Sequence, residues 1–322
     1  MSKAPWFAFR SRRQTLLFRY AVLALCFSPL FFIHLESYGS PFINALHNGA
    51  HIGVFFVVGW ALLPLFHARI RTRIAILVVA TLVGSLLIEG IQEAVGRAFQ
   101  WIDIYRNFIG LGLGIALRAR LYVVEKHKKT IANLALVCLS VIFLIDRATF
   151  IKLAVGQVYF SLNAPVLAEF DYAFEQANWR TFATAKHIHQ GELIVTVNED
   201  RSYAGVAFTD FPANWNEYSG LVVEVDNPNS ANISLTVKIT DRQHDVGVHH
   251  YDERYNGHWS LPPGRSTLEI PIADIQSGPK HRLLNIGAIN RIDFFLEQAE
   301  LGTAFKLASV KLRTDPQNVN VN

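Results

Sequence analysis

Long apolar runs fill the first half of the chain and stop near Phe160. A membrane-spanning helix needs about 20 mostly apolar residues, or slightly fewer where flanking basic and aromatic side chains reach the interface. The first suitable run ends without a small-residue cleavage site, so we expect it to be retained rather than removed as a signal peptide. The sequence predicts a helical membrane domain over residues 1–150 with about five spans. These are Leu16 to Leu35, Asn48 to Phe66, Ile74 to Val95, Ile104 to Val124 and Ile131 to about Ile145.

The pattern changes after Phe160, where apolar and polar residues alternate in short runs separated by Asn, Gly, Pro and Asp. A period of two is typical of strands with one buried face. The clearest runs are Glu192 to Val197, Gly220 to Val225, Ile233 to Ile239, Ser266 to Ile270, Arg291 to Leu296 and Phe305 to Leu312. They favour an all-β jelly-roll sandwich over residues 168–316, preceded by a linker over 151–167 and followed by a tail over 317–322.

Composition and charge are consistent with a chain that lies partly in a membrane and partly in water. Hydrophobic residues make up 51% of the chain and charged residues 17%, which is too apolar for one ordinary soluble domain. The net charge of +4 is modest and its basic residues lie between apolar runs, so it reflects membrane topology and implies no nucleic-acid partner. Cys26 and Cys138 both lie in apolar runs. The second half therefore has no disulfide and no cysteine metal site.

Basic residues predict the orientation of the chain. They concentrate before the first span, between Arg69 and Arg73, and between Arg118 and Lys129. Basic loops remain in the cytoplasm, so an odd number of spans places everything after Phe150 outside. We therefore expect a multi-pass membrane protein with an exported C-terminal domain.

Ionisable residues collect at one end of the predicted spans, where an unpaired charge would be costly in hydrocarbon. His47 and His51 are four residues apart and share a helix face. The other polar residues at this end are Glu89, Gln92, Glu93, Arg97, Asp103, Arg106 and Asn107. In the predicted topology they all lie with the two histidines at the outer membrane surface.

The spacing of these residues resembles the VanZ-like family of small bacterial membrane proteins. The family pattern is a His that opens a span, E-x-x-Q on the next helix, an Arg, and then D-x-x-x-N-x-x-G-x-x-x-G. Between about Leu46 and Leu117 the matching residues are His51, Glu89, Gln92, Arg97, Asp103, Asn107, Gly110 and Gly114. Many members have an acidic residue three positions after the Arg, where this chain has Gln100. The resemblance implies a polar site formed by the six non-glycine residues, and it supplies no biochemical activity.

Structural alternatives accompany each of these assignments. Gly110 and Gly114 are one turn apart, as expected of close helix packing. Glu89 could form a structural ion pair with Arg97 or Arg106. In an enzyme, either Glu89 or His51 could instead serve as the general base while Arg97 holds a phosphate. His47 and His51 could ligate a metal with Glu89, but no complete zinc signature is present, so no metal or cofactor is predicted.

The second half resembles the galactose-binding-like β-sandwiches found in carbohydrate-binding modules, over about Phe170 to Arg313. The matching features are Trp179, Asp226 to Pro228, Leu235 to Asp241, Tyr251 to Tyr255, Pro271 and Ala308 to Leu312. Many such domains have calcium-binding acidic residues in the last strand, where this chain has Ala308 and Ser309, so calcium is not expected. The segment from His249 to Trp259 is rich in groups that contact sugars. Tyr251, Tyr255 and Trp259 are the candidate stacking residues, and the alternative is that they alternate between core and rim.

These features together indicate a VanZ-like integral membrane protein of a bacterial inner membrane with a role in the cell envelope. Its helices would contact membrane lipid, and its exported sandwich would recognise a glycan or a protein partner. One alternative is a membrane enzyme acting on a lipid-linked phosphate or phospholipid at the outer face. Another is a non-catalytic assembly factor for a polysaccharide system. Fold resemblance alone does not distinguish these functions.

Overall fold

The structure is a computed structural model, and it describes residues 40–65, 69–94, 98–246 and 250–314. The chain divides into two compact units. Within the described residues, the first unit covers Ile43–Ala148. The second unit begins at Thr149 and also includes the few described residues before Ile43. We refer to them as the helical unit and the sandwich unit.

The described part of the first half consists of helices α1 to α4. They span Pro41–Leu62, Ile70–Ala94, Trp101–Tyr122 and Lys126–Leu162. Helices α1, α2 and α4 are long and apolar enough to cross a membrane, which suggests membrane association. Large apolar side chains on their surfaces, such as Leu87 and Ile145, are more than 60% exposed, as expected of helices that face lipid.

The predicted count of five spans is not supported, because only these three described helices qualify. The predicted first span, Leu16 to Leu35, lies outside the described residues. The predicted fourth span is helical but does not qualify as a membrane-spanning helix. Its apolar stretch is interrupted by Asp103, Arg106, Arg118 and Arg120.

Helix α4 is much longer than the span predicted from its apolar run. It has 37 residues and continues to Leu162, through most of the segment that the sequence indicated as a linker. Leu153 and Phe160 explain the extension, because both are buried and Phe160 joins the core of the sandwich unit. A helix that buries apolar side chains along its last turns gains stability that a solvated linker would lose.

The second half is an all-β sandwich, as the alternating pattern predicted. The first of its two antiparallel sheets contains Val166–Ala168 (β1), Thr184–His189 (β3), Glu192–Val197 (β4), Tyr218–Asn227 (β6), Gly264–Pro271 (β9) and Ala304–Thr314 (β11). The second contains Trp179–Phe182 (β2), Tyr203–Thr209 (β5), Ile233–Asp241 (β7), Tyr255–Leu261 (β8) and Ile289–Glu297 (β10). The strand order is β3-β4-β11-β6-β9 in the first sheet, with β1 also paired to β11, and β2-β5-β10-β7-β8 in the second. Two short helices, Arg242–Val246 (α5) and Ile272–Ser277 (α6), follow β7 and β9.

Aromatic rings form the centre of the sandwich core. Trp179 stacks on Phe208 with ring centroids 4.4 Å apart, and Phe294 lies beside them at 5.8 Å from Trp179. Side chains alternate across a strand, so the neighbours of these inward residues point to the outer face of the second sheet. On β10 the inward residues are Ile292, Phe294 and Leu296, and the outward residues are Arg291, Asp293 and Phe295.

Candidate functional site

Four of the polar residues predicted from the helical half converge in the structure. His51 on α1, Glu89 on α2 and Asp103 and Asn107 on α3 are each at most 1% exposed. We call these four residues the polar cluster. Gln92 is also buried, one turn after Glu89 on α2. Arg97 lies outside the described residues.

Direct hydrogen bonds and ion pairs link the three helices through the polar cluster. His51 Nδ1 lies 3.0 Å from Asn107 Oδ1, and His51 Nε2 lies 3.5 Å from Asp103 Oδ2. Asn107 also donates its amide to Ser85 Oγ on α2 at 2.8 Å. These contacts give the buried polar side chains partners within the protein, as polar groups in an apolar environment require.

Arg106 connects the polar cluster to α4. Its guanidinium donates to Asp103 Oδ1 at 2.7 Å and to Asp146 Oδ1 at 3.2 Å. Asp146 also pairs with Arg147, which donates to the carbonyl oxygen of Ala45 on α1. Sequence reasoning missed Asp146 and Arg147, although two adjacent charges at the end of an apolar run were a visible signal.

Gln100 contributes to the cluster through its backbone. Its amide N–H donates to Glu89 Oε2 at 2.8 Å. The VanZ-like pattern often has an acidic residue at this position. Here the backbone amide at this position holds an acidic side chain from the preceding helix.

The polar cluster contains one set of potential metal ligands. His51, Glu89 and Asp103 each offer a ligand atom, and these three atoms lie within 4.8 Å of one another. Imidazole and carboxylate groups are suitable ligands for zinc and related cations. However, the guanidinium of Arg106 already lies on Asp103 and supplies the positive charge that a cation would bring.

The glycines of the VanZ-like pattern allow α3 to approach α1. A Cβ at Gly110 would lie 2.2 Å from the carbonyl oxygen of Ile52, and one at Gly114 would lie 2.2 Å from that of Phe56. Both neighbours are backbone atoms that cannot move aside cheaply. The packing interpretation of these two glycines is confirmed.

The three aromatic residues predicted from the second half do not share one exposed face. On β8, Tyr255 pairs with Ile239 and Trp259 with Leu235, and these partners are core residues. Tyr255 and Trp259 therefore lie half-buried on the core side, with their side chains over Gly257. Burial raises the pKa of Tyr255 to about 12. Tyr251 is separate: it is 56% exposed and its ring lies under Arg254, 5.1 Å from the guanidinium carbon.

A groove of about 320 Å³ lies instead on the outer face of the second sheet. A cross-strand row forms its apolar part, in which Phe182 on β2 and Phe295 on β10 flank Gly205 on β5. A Cβ at Gly205 would lie 2.1 Å from the carbonyl oxygen of Phe294, so glycine is required there. The groove is lined by Phe182, Tyr203, Lys238, Arg254, Arg291, Asp293 and Phe295.

Aromatic and charged side chains stand side by side in this groove. The Phe295 ring lies 6.2 Å from Phe182 and 5.6 Å from Tyr203, and Tyr203 is 58% exposed. In the neighbouring row, Asp293 forms ion pairs with Lys238 and Arg291. Rings that present a face and polar groups that fix orientation are the usual elements of a site for a small polar ligand.

Sequence reasoning missed the groove, although it identified two of the strands that form it. The alternation in the run from Arg291 to Leu296 does place Arg291, Asp293 and Phe295 on one face. The missing step was the pairing of β10 with β5 and β7. A second groove of about 460 Å³, between residues 229–234 and 296–303, has no aromatic residue in its lining.

No protein-family model matches the chain, and no curated protein matches it. Solved structures similar to the chain include an agarase, at 12% identity, with 47% of this chain and 26% of that chain covered and a TM-score of 0.38. The family 11 carbohydrate-binding module of a cellulosomal cellulase of Clostridium thermocellum is also similar. It has 16% identity and a TM-score of 0.36, and the match covers 47% of this chain and 94% of the module.

A mutant of a family 29 carbohydrate-binding module complexed with cellulohexaose is a third similar structure. It has 12% identity and a TM-score of 0.29, and the match covers 41% of this chain and 78% of that chain. The chain spans about a quarter of the length of the agarases that it matches. The sandwich unit resembles carbohydrate-binding modules in its fold.

Proposed function

We propose that the protein is a membrane-anchored glycan-recognition protein of the bacterial cell envelope, and that the groove on the second sheet is its binding site. The observation that carries this proposal is the row of Phe182, Gly205 and Phe295 beside the exposed ring of Tyr203. A pyranose ring has an apolar face that stacks on an aromatic side chain.

The polar lining complements these rings. Lys238 and Arg291 are held in place by Asp293, so their donors have defined positions on the groove floor. Fixed donors next to an apolar ring surface favour a ligand that is apolar on one face and rich in oxygen at its edges. A carbohydrate has both properties.

Substitution of Tyr203 tests this function. We expect Tyr203→Ala, in the full chain reconstituted in lipid nanodiscs, to weaken glycan binding at least tenfold without unfolding the protein, because Tyr203 is mostly exposed. A glycan array followed by calorimetric titration measures the effect. Tyr172→Ala is the matched control, since Tyr172 is also about half exposed and lies outside the groove lining. Failure of the wild-type protein to bind any glycan on the array contradicts the proposal.

We propose further that the helical unit is a VanZ-like module of the inner membrane and that the sandwich unit lies outside the cytoplasm. Two short basic segments support this orientation, Arg69 to Arg73 at the start of α2 and Lys126 to Lys129 at the start of α4. It requires α3 to cross the membrane despite its charges. The convergence of His51, Glu89, Asp103 and Asn107 supports the family assignment.

Cysteine accessibility in whole cells tests the orientation. Ser230→Cys and Thr72→Cys both replace exposed residues, and each is made in a chain whose two cysteines are changed to Ser. We expect an impermeant thiol reagent to label the first variant and not the second. The reverse labelling contradicts the proposed orientation.

A second candidate function is a membrane enzyme acting on a lipid-linked phosphate or phospholipid. The observation that favours it is the approach of His51, Glu89 and Asp103 within one buried cluster. Lipidomic comparison of cells with the wild type, Glu89→Gln or no protein tests this candidate. Glu93→Gln is the control because Glu93 is exposed on the same helix. If the protein is an enzyme, we expect cells with Glu89→Gln and cells without the protein to show the same changed lipid profile.

A further inference from the structure

We propose that the groove selects an acidic glycan, one that carries carboxylate or sulfate groups along its chain. This inference rests on the proposed glycan recognition and adds the chemical class of the ligand. It is carried by the excess of positive charge among the side chains that line the groove.

The cations of the lining outnumber its anions. Lys238, Arg254 and Arg291 contribute three positive charges, and Asp293 contributes the single negative charge. Further along the same outer face, Arg180 on β2 adds a positive charge and Glu297 on β10 adds a negative one, so the excess is unchanged. A concave surface lined by one sign of charge attracts ligands of the other sign.

Asp293 is already used within the protein. Its Oδ1 accepts from Arg291 Nε and its Oδ2 lies 2.5 Å from Lys238 Nζ, and its side chain is only 3% exposed. Both carboxylate oxygens therefore serve to position the two cations. A ligand meets the remaining donors of these cations, and the carboxylate has little capacity left to accept from sugar hydroxyls.

Arg254 is the cation with the least internal compensation. Its guanidinium packs over the ring of Tyr251, and its Nε is buried and has no hydrogen-bond partner among the described residues. Burial lowers the pKa of Arg254, while the nearby charge of Asp293 raises it. An anionic group in the groove would stabilise this charge, because a guanidinium matches carboxylate and sulfate oxygens with two parallel donors.

A neutral glycan would use only part of this site. It could stack on Tyr203, but its hydroxyls would gain little from the three cations of the lining. An acidic glycan gains both the stacking and the charge-assisted hydrogen bonds. The charged contacts also predict that binding weakens as salt concentration rises, which stacking alone does not predict.

The experiment titrates the full chain in nanodiscs of phosphatidylcholine, whose zero net charge avoids competition from anionic lipid. The probes are oligogalacturonate, a sulfated galactan oligosaccharide and cellohexaose of similar length. We expect at least one acidic probe to bind at least tenfold more tightly than cellohexaose at low salt, with a smaller difference at high salt. The probe that binds identifies carboxylate or sulfate as the recognised group.

Substitution of Arg254 links the preference to the groove. We expect Arg254→Gln to weaken acidic binding at least tenfold and to leave cellohexaose binding unchanged. Arg265→Gln is the matched control, because Arg265 is an exposed arginine on β9 of the other sheet. Thermal unfolding of each variant verifies that the fold is retained.

The outcomes separate this inference from the proposed function. If cellohexaose binds as tightly as the acidic probes, or if Arg254→Gln leaves acidic binding unchanged, the acidic preference is wrong while glycan recognition stands. If no probe binds and the glycan array is also negative, the proposed function itself is wrong.

Discussion

The polar cluster and the groove differ in their access to solvent. His51, Glu89, Asp103 and Asn107 are almost fully buried, and His51, Asp103 and Asn107 contact one another. The groove is open to solvent, and its most exposed ring, Tyr203, is 58% exposed. Stability and function are therefore coupled in the cluster, because any substitution there leaves a buried group without its partner. In the groove, a substitution can change function without changing stability.

Removal of Asp103 is expected to give the largest effect. In Asp103→Ala the buried His51 loses its nearest carboxylate and Arg106 keeps only Asp146, so we expect a loss of about 3–5 kcal/mol in the free energy of unfolding. Denaturant unfolding in detergent micelles measures it. Asp103→Asn retains an acceptor oxygen and should cost less. Wild-type stability of Asp103→Ala would mean that the cluster does not hold the helices together.

Removal of Trp259 tests whether stability and glycan binding are separable in the sandwich unit. Its ring is half-buried against the core, so Trp259→Ala should lower the free energy of unfolding by about 2–3 kcal/mol and leave glycan affinity of the folded protein unchanged. Thermal unfolding and titration of the same sample measure both quantities. Tyr203→Ala should give the reverse result. Loss of binding without loss of stability in Trp259→Ala would support the ligand role predicted for the Tyr251 to Trp259 segment.

A smaller effect is expected from a methyl group between α1 and α3. Gly114→Ala places a Cβ against a backbone carbonyl, so we expect a loss of about 1–3 kcal/mol, measured by unfolding in detergent. Gly84→Ala on α2 is the control, because a Cβ there meets no atom within 4 Å. Equal stabilities of the two variants would contradict the close approach of α1 and α3.

Much of the helical unit was predictable because its information is local in the sequence. The predicted third span, Ile74 to Val95, corresponds closely to α2, Ile70–Ala94. The length of α4 was not predictable in the same way. Its last turns contain Lys152 and Gln157, which interrupt the apolar pattern. They stay helical because Leu153 is buried and Phe160 joins the core of the sandwich unit.

The strands show the same division. The run from Glu192 to Val197 was predicted as a strand and forms β4, where buried and half-buried side chains alternate. Strand β5, Tyr203–Thr209, was not among the predicted runs. Nearly all of its residues are buried and several are small. It therefore lacks the alternation of apolar and polar residues that is typical of a strand with one solvent-exposed face.

The order of a helical, apolar half and an all-β half is readable from the sequence, as are the residues of the polar cluster. Ionisable and amide side chains within apolar runs stand out one by one, so no long-range information is needed to identify them. The position of the groove, in contrast, follows from the tertiary structure. Its lining extends from Phe182 to Phe295 and meets only because β5 pairs with β10 and β10 with β7 in one register. A shift of one residue would turn those side chains into the core, and no local pattern specifies that register.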